Sequence, residues 1–285
     1  MIKNILVALD PDQDTPVATR YAAEIAERSS AKVIGLAVID THRIAAELGP
    51  GGAVGATHYI ETSRKRMLDE AREKARALVK NFDETLHVAV VAHEEQVQEG
   101  AVVEQLLEEL KYSDLLIIGR TPHFFYNRPD RATNTLARVV KHSIVPSLVV
   151  GEEFAAVDHV LIAYDGSAAS ARTMHGFAQL QPFGKDLTVE VVHVRTGESS
   201  RQREATDLLL QRASRYLEEH GFERIRRSGL EGVNQAAALI EHAGRVEASL
   251  IVAGAHSVSA IRRAAFGSTT HELLTTCTVP LFIFH

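Results

Sequence analysis

The chain carries the same ordered set of apolar runs twice, and this constrains its fold more than any other feature. Ile5-Leu6-Val7-Ala8-Leu9-Asp10 returns as Val160-Leu161-Ile162-Ala163-Tyr164-Asp165, and Val33–Val38 returns as Val189–Val194. Ser113–Gly119 matches Ala248–Gly254, and Val145-Pro146-Ser147-Leu148-Val149-Val150 matches Val279-Pro280-Leu281-Phe282-Ile283-Phe284. Four matches in one order identify a duplication. Each run is short, β-branched and almost wholly apolar, which suits a strand covered on both faces of a parallel sheet. Segments with helical spacing separate them: Ala18–Glu27, Ala101–Leu110, Ala205–Leu217 and Ala236–Ala243. Strand and helix in strict alternation predict crossover connections and a doubly wound α/β fold. A third strand is expected over Thr85–Val91 in the first half and over Ile225–Ser228 in the second, so that each half holds five strands. The boundary falls near Glu152-Glu153-Phe154-Ala155, dividing the chain into units 1–152 and 153–285.

The halves differ in their middles. Val38 to Gly119 spans 81 positions, against 60 from Val194 to Gly254. The excess includes the glycine-rich run 48–56, which suits neither helix nor strand. It reads as a surface insertion ahead of a long helix from about Tyr59 to Phe82.

Composition narrows the function. A net charge of −6 argues against nucleic acid as a partner. A single cysteine, Cys277, excludes an intrachain disulfide and a cysteine metal cage, which suits a reducing compartment. The opening run Ile2–Leu9 is too short for a signal-peptide core, and nothing approaches the roughly 20 apolar residues of a membrane span. The expectation is a cytoplasmic protein with no membrane partner. The 14 histidines are scattered without a His-Glu-x-x-His pair, and neither a Gly-x4-Gly-Lys-Ser/Thr loop nor a Gly-x-Ser-x-Gly elbow occurs.

In an open parallel sheet, ligands bind beyond the carboxyl ends of the strands. The second half has the more informative residues there. Gly254 closes a strand and leaves room for a ligand to approach the backbone. Gly267 and Ser268 open the last helix, whose free N–H groups and positive dipole end favour phosphate, and the hydroxyls of Ser268, Thr269 and Thr270 add donors. Thr269-x-x-Glu272 also reads as a capping box, which would explain the hydroxyl and the acid without a ligand.

Together these residues resemble the universal stress protein family in its tandem form, over essentially the whole chain. The family pattern is a first strand ending in Asp, often Asp-Gly-Ser, then Gly-x2-Gly-x9-Gly-Ser/Thr, then Val/Cys-Pro before the last strand. Here Asp165-Gly166-Ser167, Gly254-x2-Ser257-x9-Gly267-Ser268 and Val279-Pro280 supply the three parts, with Ser257 standing where the pattern has glycine. The resemblance implies two Rossmann-like domains of the adenine nucleotide alpha hydrolase type. It also implies an ATP site, with Mg, formed by Asp165, Gly166, Val194, Gly254, Ser257, Gly267, Ser268, Thr269 and Thr270. Asp165 and Val194 would lie at the adenosine end, and the glycine segment around ribose and phosphates. Single-domain members commonly dimerise through their last strands. The tandem is therefore expected to pair Val149-Val150 with Phe282-Ile283 as an internal pseudo-dimer, with a further homodimer compatible.

The first half fits less well. It has Asp10 and Val38, but Gly119 is followed by Arg120-Thr121-Pro122-His123-Phe124-Phe125-Tyr126, and Ala132-Thr133-Asn134 replaces the closing Gly-Ser. Pro122 offers no N–H, and the aromatic run suits a hydrophobic wall or a partner contact. This half reads as a degenerate site. Three functions stay open: a nucleotide-binding stress-response protein, an interaction protein that meets a protein partner without nucleotide, and a weak ATPase.

Overall fold

The computed structural model describes residues 1–48, 56–124, 126, 134–197, 199–255 and 268–285. The expected glycine-rich insertion therefore falls almost wholly outside the described residues, as do Ser257 and Gly267. In the first half, β1 (Asn4–Leu9), α1 (Asp14–Ser29), β2 (Lys32–Asp40), α2 (Thr41–Leu48) and α3 (Ala56–Val88) lead to β3 (His93–Gly100). α4 (Val102–Glu109), β4 (Leu115–Gly119), α5 (Thr135–His142) and β5 (Ser147–Val150) complete it. The second half runs β6 (His159–Ala163), α6 (Ala168–Leu180), β7 (Thr188–Arg195), α7 (Ser200–Glu219), β8 (Arg224–Glu231), α8 (Gln235–Arg245), β9 (Leu250–Gly254), α9 (Ser268–Thr276) and β10 (Leu281–Phe284).

All ten strands form one sheet, ordered β3-β2-β1-β4-β5-β10-β9-β6-β7-β8. Within each half every pairing is parallel, as the strand–helix alternation requires. The halves meet where β5 and β10 pair antiparallel, Val149 opposite Leu281 and Leu148 opposite Phe282. The two last strands thus form the expected internal pairing, with Leu148 rather than Val150 facing Phe282.

Alternation along the strands splits the core in two. Ile5, Val7 and Leu9 of β1 join Phe82, Phe177 and Phe282 in one cluster, while Leu6 and Ala8 join Leu106, Val139, Leu239 and Leu273 in another. Burial on both faces explains why these strands read as continuous apolar runs rather than alternating ones. The linker is also held: the Tyr21 hydroxyl donates to Ala155 O at 2.8 Å and accepts from its N–H at 3.1 Å. Arg20 lies over the Phe154 ring at 3.7 Å.

Two expectations need correction. Thr85–Val88 is not strand but the end of α3, whose buried Ala71, Ala75, Phe82 and Leu86 recur at helical spacing. The third strand is instead the polar segment His93–Gly100, an edge strand paired only with β2, whose exposed side chains carry little apolar signal. In addition, α2 fills a stretch for which no element was expected, burying only Ile44. No helix among the described residues is long and apolar enough to cross a membrane.

Candidate functional site

In the second half the chain leaves β6 toward β7 on one side, and returns through α8 to β9 on the other. This reversal opens a crevice between the carboxyl ends of β6 and β9, the place where such sheets take ligands. Asp165 sits just past β6, with its Oδ1 accepting from Ser167 N–H at 2.9 Å and from Ser170 Oγ at 2.7 Å. Ser167 in turn caps α6, accepting from Ser170 N–H at 3.2 Å. Gly166 has φ +78°, which a side chain would strain.

α9 brings its first turn to the same crevice. Thr269 Oγ1 donates to Gln235 Oε1 at 3.3 Å, and Thr270 Oγ1 lies 3.4 Å from Gly254 O. The capping-box expectation fails here. α9 already begins at Ser268, so Thr269 lies inside its first turn, and both Glu272 oxygens accept from Asn234 Nδ2 at 3.0 Å.

Asp165, Val194, Gly254, Ser268, Thr269 and Thr270 line one cleft of about 210 Å³. Gly166 shapes the turn beside it without lining it. Tyr164, Ser170, Gln235, Leu239 and Leu273 also line the cleft and were missed from sequence. Gln235 had a usable signal, since it opens a helix that follows a strand of the same sheet. The floor is apolar, from Val192, Val194, Leu239 and Leu273, and the rim carries hydroxyls and one carboxylate. A second cleft of about 480 Å³ adjoins it across Asp165, Val194 and Gln235 and includes Arg195 and Thr206.

Gly254 has a packing role besides its place in the cleft lining. A Cβ built there would lie 2.6 Å from Ser170 N and 2.7 Å from Ala169 C, both backbone atoms of α6. The missing side chain lets α6 pack on the sheet. Gly119 does the same for α1, where a Cβ would meet Asp14 Cβ at 2.7 Å.

The first half closes over its own acid. Asp10 is buried, and its carboxyl accepts from the backbone N–H groups of His123 and of Phe124, the latter at 2.9 Å. Burial, then the charge of Asp12, pushes its pKa up to about 8, against the lowering effect of those two N–H groups. Asp14 Oδ2 accepts from Arg120 N–H at 2.7 Å and Thr121 N–H at 3.2 Å. Phe124 and Tyr126 are buried, so neither forms the partner surface that the aromatic run suggested, and Phe125 lies outside the described residues. The counterpart of Asp165 is thus engaged internally.

The Arg120 side chain crosses to the other half. Its guanidinium donates to the carbonyls of Leu273 at 3.2 Å, Leu274 at 3.1 Å and Val279 at 2.9 Å. Among the described residues, no group of three or more His, Cys, Asp or Glu is arranged to hold a metal ion.

A model of the Universal stress protein family matches residues 1–151 and again 156–285. The chain is similar to Universal stress protein Slr1230 of Synechocystis sp., at 24% identity over 294 residues, spanning 99% of this chain and 100% of that protein. Among solved structures it is similar to a universal stress protein from Archaeoglobus fulgidus, with TM-score 0.70 and 16% identity, covering 99% of this chain and 97% of that one. It is also similar to the functionally unknown protein PA1789 of Pseudomonas aeruginosa, with TM-score 0.64 and 15% identity over 99% and 92% of the two chains. At these identities the structural likeness is one of fold.

Proposed function

The chain belongs to the universal stress protein family, and from that premise we propose that its second unit, 153–285, binds ATP or a related adenine nucleotide as a sensing module. The observation that carries this reading is the convergence of Asp165, Val194, Gly254 and the first turn of α9 on one cleft at the reversal of strand order. An apolar floor with a few polar groups on the rim is the ordinary make-up of a small-molecule site. The base and ribose lie over Val194 toward Asp165, and the phosphates lie at Ser268, Thr269 and Thr270, where the positive dipole end of α9 meets negative charge. The unit 1–152 serves as the partner domain, because Asp10 is buried with both of its carboxyl oxygens accepting from backbone N–H groups of its own half.

Occupancy rather than turnover is the signal. Among the described residues lining the cleft, Asp165 is the single carboxylate, and its Oδ1 already accepts two protein hydrogen bonds. Magnesium, where present, would travel with the phosphates, which fits an ion that keeps several waters and uses few protein ligands.

Mass spectrometry of small molecules released on denaturing the purified protein tests the ligand class, and an adenine nucleotide is expected. Calorimetry with ATP then tests its location. Ser268→Glu should leave the fold intact, since an acid suits a helix N-terminus, yet repel the phosphates and weaken binding by at least tenfold. Thr135→Glu, at the matching helix start of the first half, should leave binding unchanged. Equal loss from both variants would count against a site in the second unit.

A further inference from the structure

Arg120 belongs to the first half, yet the carbonyls that accept from its guanidinium belong to the second. It follows the last residue of β4, where its backbone N–H is fixed by Asp14, and its guanidinium meets two carbonyls in the last turn of α9 and a third at Val279, just beyond the helix. Leu273 and Leu274 stand in the last turn of this nine-residue helix, where carbonyls run short of helical partners, and Leu273 O accepts from Cys277 N–H at 3.2 Å as well as from Arg120. A cation there also complements the negative end of the helix dipole.

The antiparallel seam explains why one helix can be touched from both halves. Because β5 and β10 run in opposite directions, the carboxyl ends of β1–β5 lie on one rim of the sheet and those of β6–β10 on the other. α9 runs between these rims, about 13 Å at 1.5 Å per residue. Its C-terminal end meets Arg120 at the first rim, and its N-terminal end lines the cleft at the second. Leu273 joins both ends of this connection, since its carbonyl accepts from Arg120 and the residue lines the cleft.

The duplication provides an internal comparison. The position matching Arg120, directly after Gly254, holds Ala255, which has only its backbone N–H to give and donates it to Phe284 O at 2.7 Å. Among the described residues, the grip at this matched position runs from the first half onto the second.

We propose that Arg120 is a positioning residue for the nucleotide cleft, by which the first half sets the placement of α9 and hence the affinity of the second half for phosphate. The coupling to affinity rests on the nucleotide reading above; the hold on α9 does not. The planar guanidinium reaches its three acceptors from two nitrogens in a rigid fork, a spread that the compact ammonium of lysine does not reproduce. Losing it frees the last turn of α9 and lets its first turn shift against Gly254 and Gln235, which Thr270 and Thr269 now contact.

The test uses the full chain with Arg120→Ala and Arg120→Lys, both held well below their unfolding midpoints. Hydrogen exchange reads α9 without any ligand, and calorimetry with ATP reads the cleft. In Arg120→Ala, amides 272–277 should exchange at least tenfold faster while those of β9 keep their wild-type protection. ATP affinity should fall by about tenfold, with Arg120→Lys falling between it and wild type. Unchanged exchange in α9, an equal rise across β9, or wild-type ATP affinity in Arg120→Ala would each overturn the proposal. Should the wild-type chain bind no ATP, the nucleotide reading fails, and the exchange result alone decides whether Arg120 governs α9.

Discussion

Replacing Gly254 by alanine separates two explanations of that glycine. If it served only to admit a ligand, Gly254→Ala would leave the fold as stable as before, or slightly more so, because alanine restricts the unfolded chain. The packing gives the opposite sign. The new methyl would sit 2.6 Å from Ser170 N and 2.7 Å from Ala169 C, and ordinary contact begins at 3.4 Å, so the first turn of α6 must retreat by about 0.8 Å. These are backbone atoms and cannot rotate aside. Overpacking of this kind costs about 1–3 kcal/mol, and the gain from replacing a strand glycine returns roughly 0.5–1 kcal/mol. A net loss centred on about 1 kcal/mol, and at most about 2.5 kcal/mol, is expected in urea unfolding followed by circular dichroism. The same retreat draws Ser170 Oγ away from Asp165, now 2.7 Å apart, so ATP binding should weaken in the still-folded variant. Stability at or above wild type would refute the packing argument.

Three further outcomes are expected. Gly119→Ala should also destabilise, because Asp14 must swing away from the new methyl and give up its bonds to the N–H groups of Arg120 and Thr121; wild-type stability in thermal unfolding would contradict this. Asp10, with its carboxyl pushed up to about 8, is neutral in the fold at pH 7 but ionised when unfolded, so stability should fall as pH rises from about 4 to about 8, by up to about 1.4 kcal/mol per unit. Asp10→Asn should flatten that stretch of a pH series of urea midpoints, and an unchanged slope would show that another group carries it. Phe282→Ala empties a fully buried position at the seam and should cost about 3–5 kcal/mol in one cooperative transition, whereas two separate transitions would mean that the halves unfold independently.

Much of the fold was legible because burial on both sheet faces writes itself into sequence as uninterrupted apolar runs. β1, β4, β6 and β9 carry that mark, and their order in the duplicate set the topology. β3 was misread for the converse reason: an edge strand with exposed Glu94, Glu95 and Glu99 has no such run, while the apolar residues of Thr85–Val91 include Leu86, which belongs to a helix stripe. The site was legible where a backbone turn demands particular residues, as at Asp165-Gly166-Ser167. Leu239 and Leu273 were hidden because a cleft floor made of core residues looks like core. The engagement of Asp10 by His123 and Phe124 was hidden too, because those bonds use backbone N–H groups 113 and 114 positions away, to which side-chain identity gives no clue.

The pairing of β5 with β10 has a consequence for how the protein responds to its own abundance. A pairing between separate chains obeys mass action, so the fraction assembled changes whenever expression rises or falls. Joined by a short linker, the two last strands meet at a fixed local concentration set by that linker, and dilution cannot part them. The hold of Arg120 on α9 crosses the same seam and inherits this independence. A rise in the abundance of the protein would then multiply identical two-unit molecules without altering the hold of one half on the other.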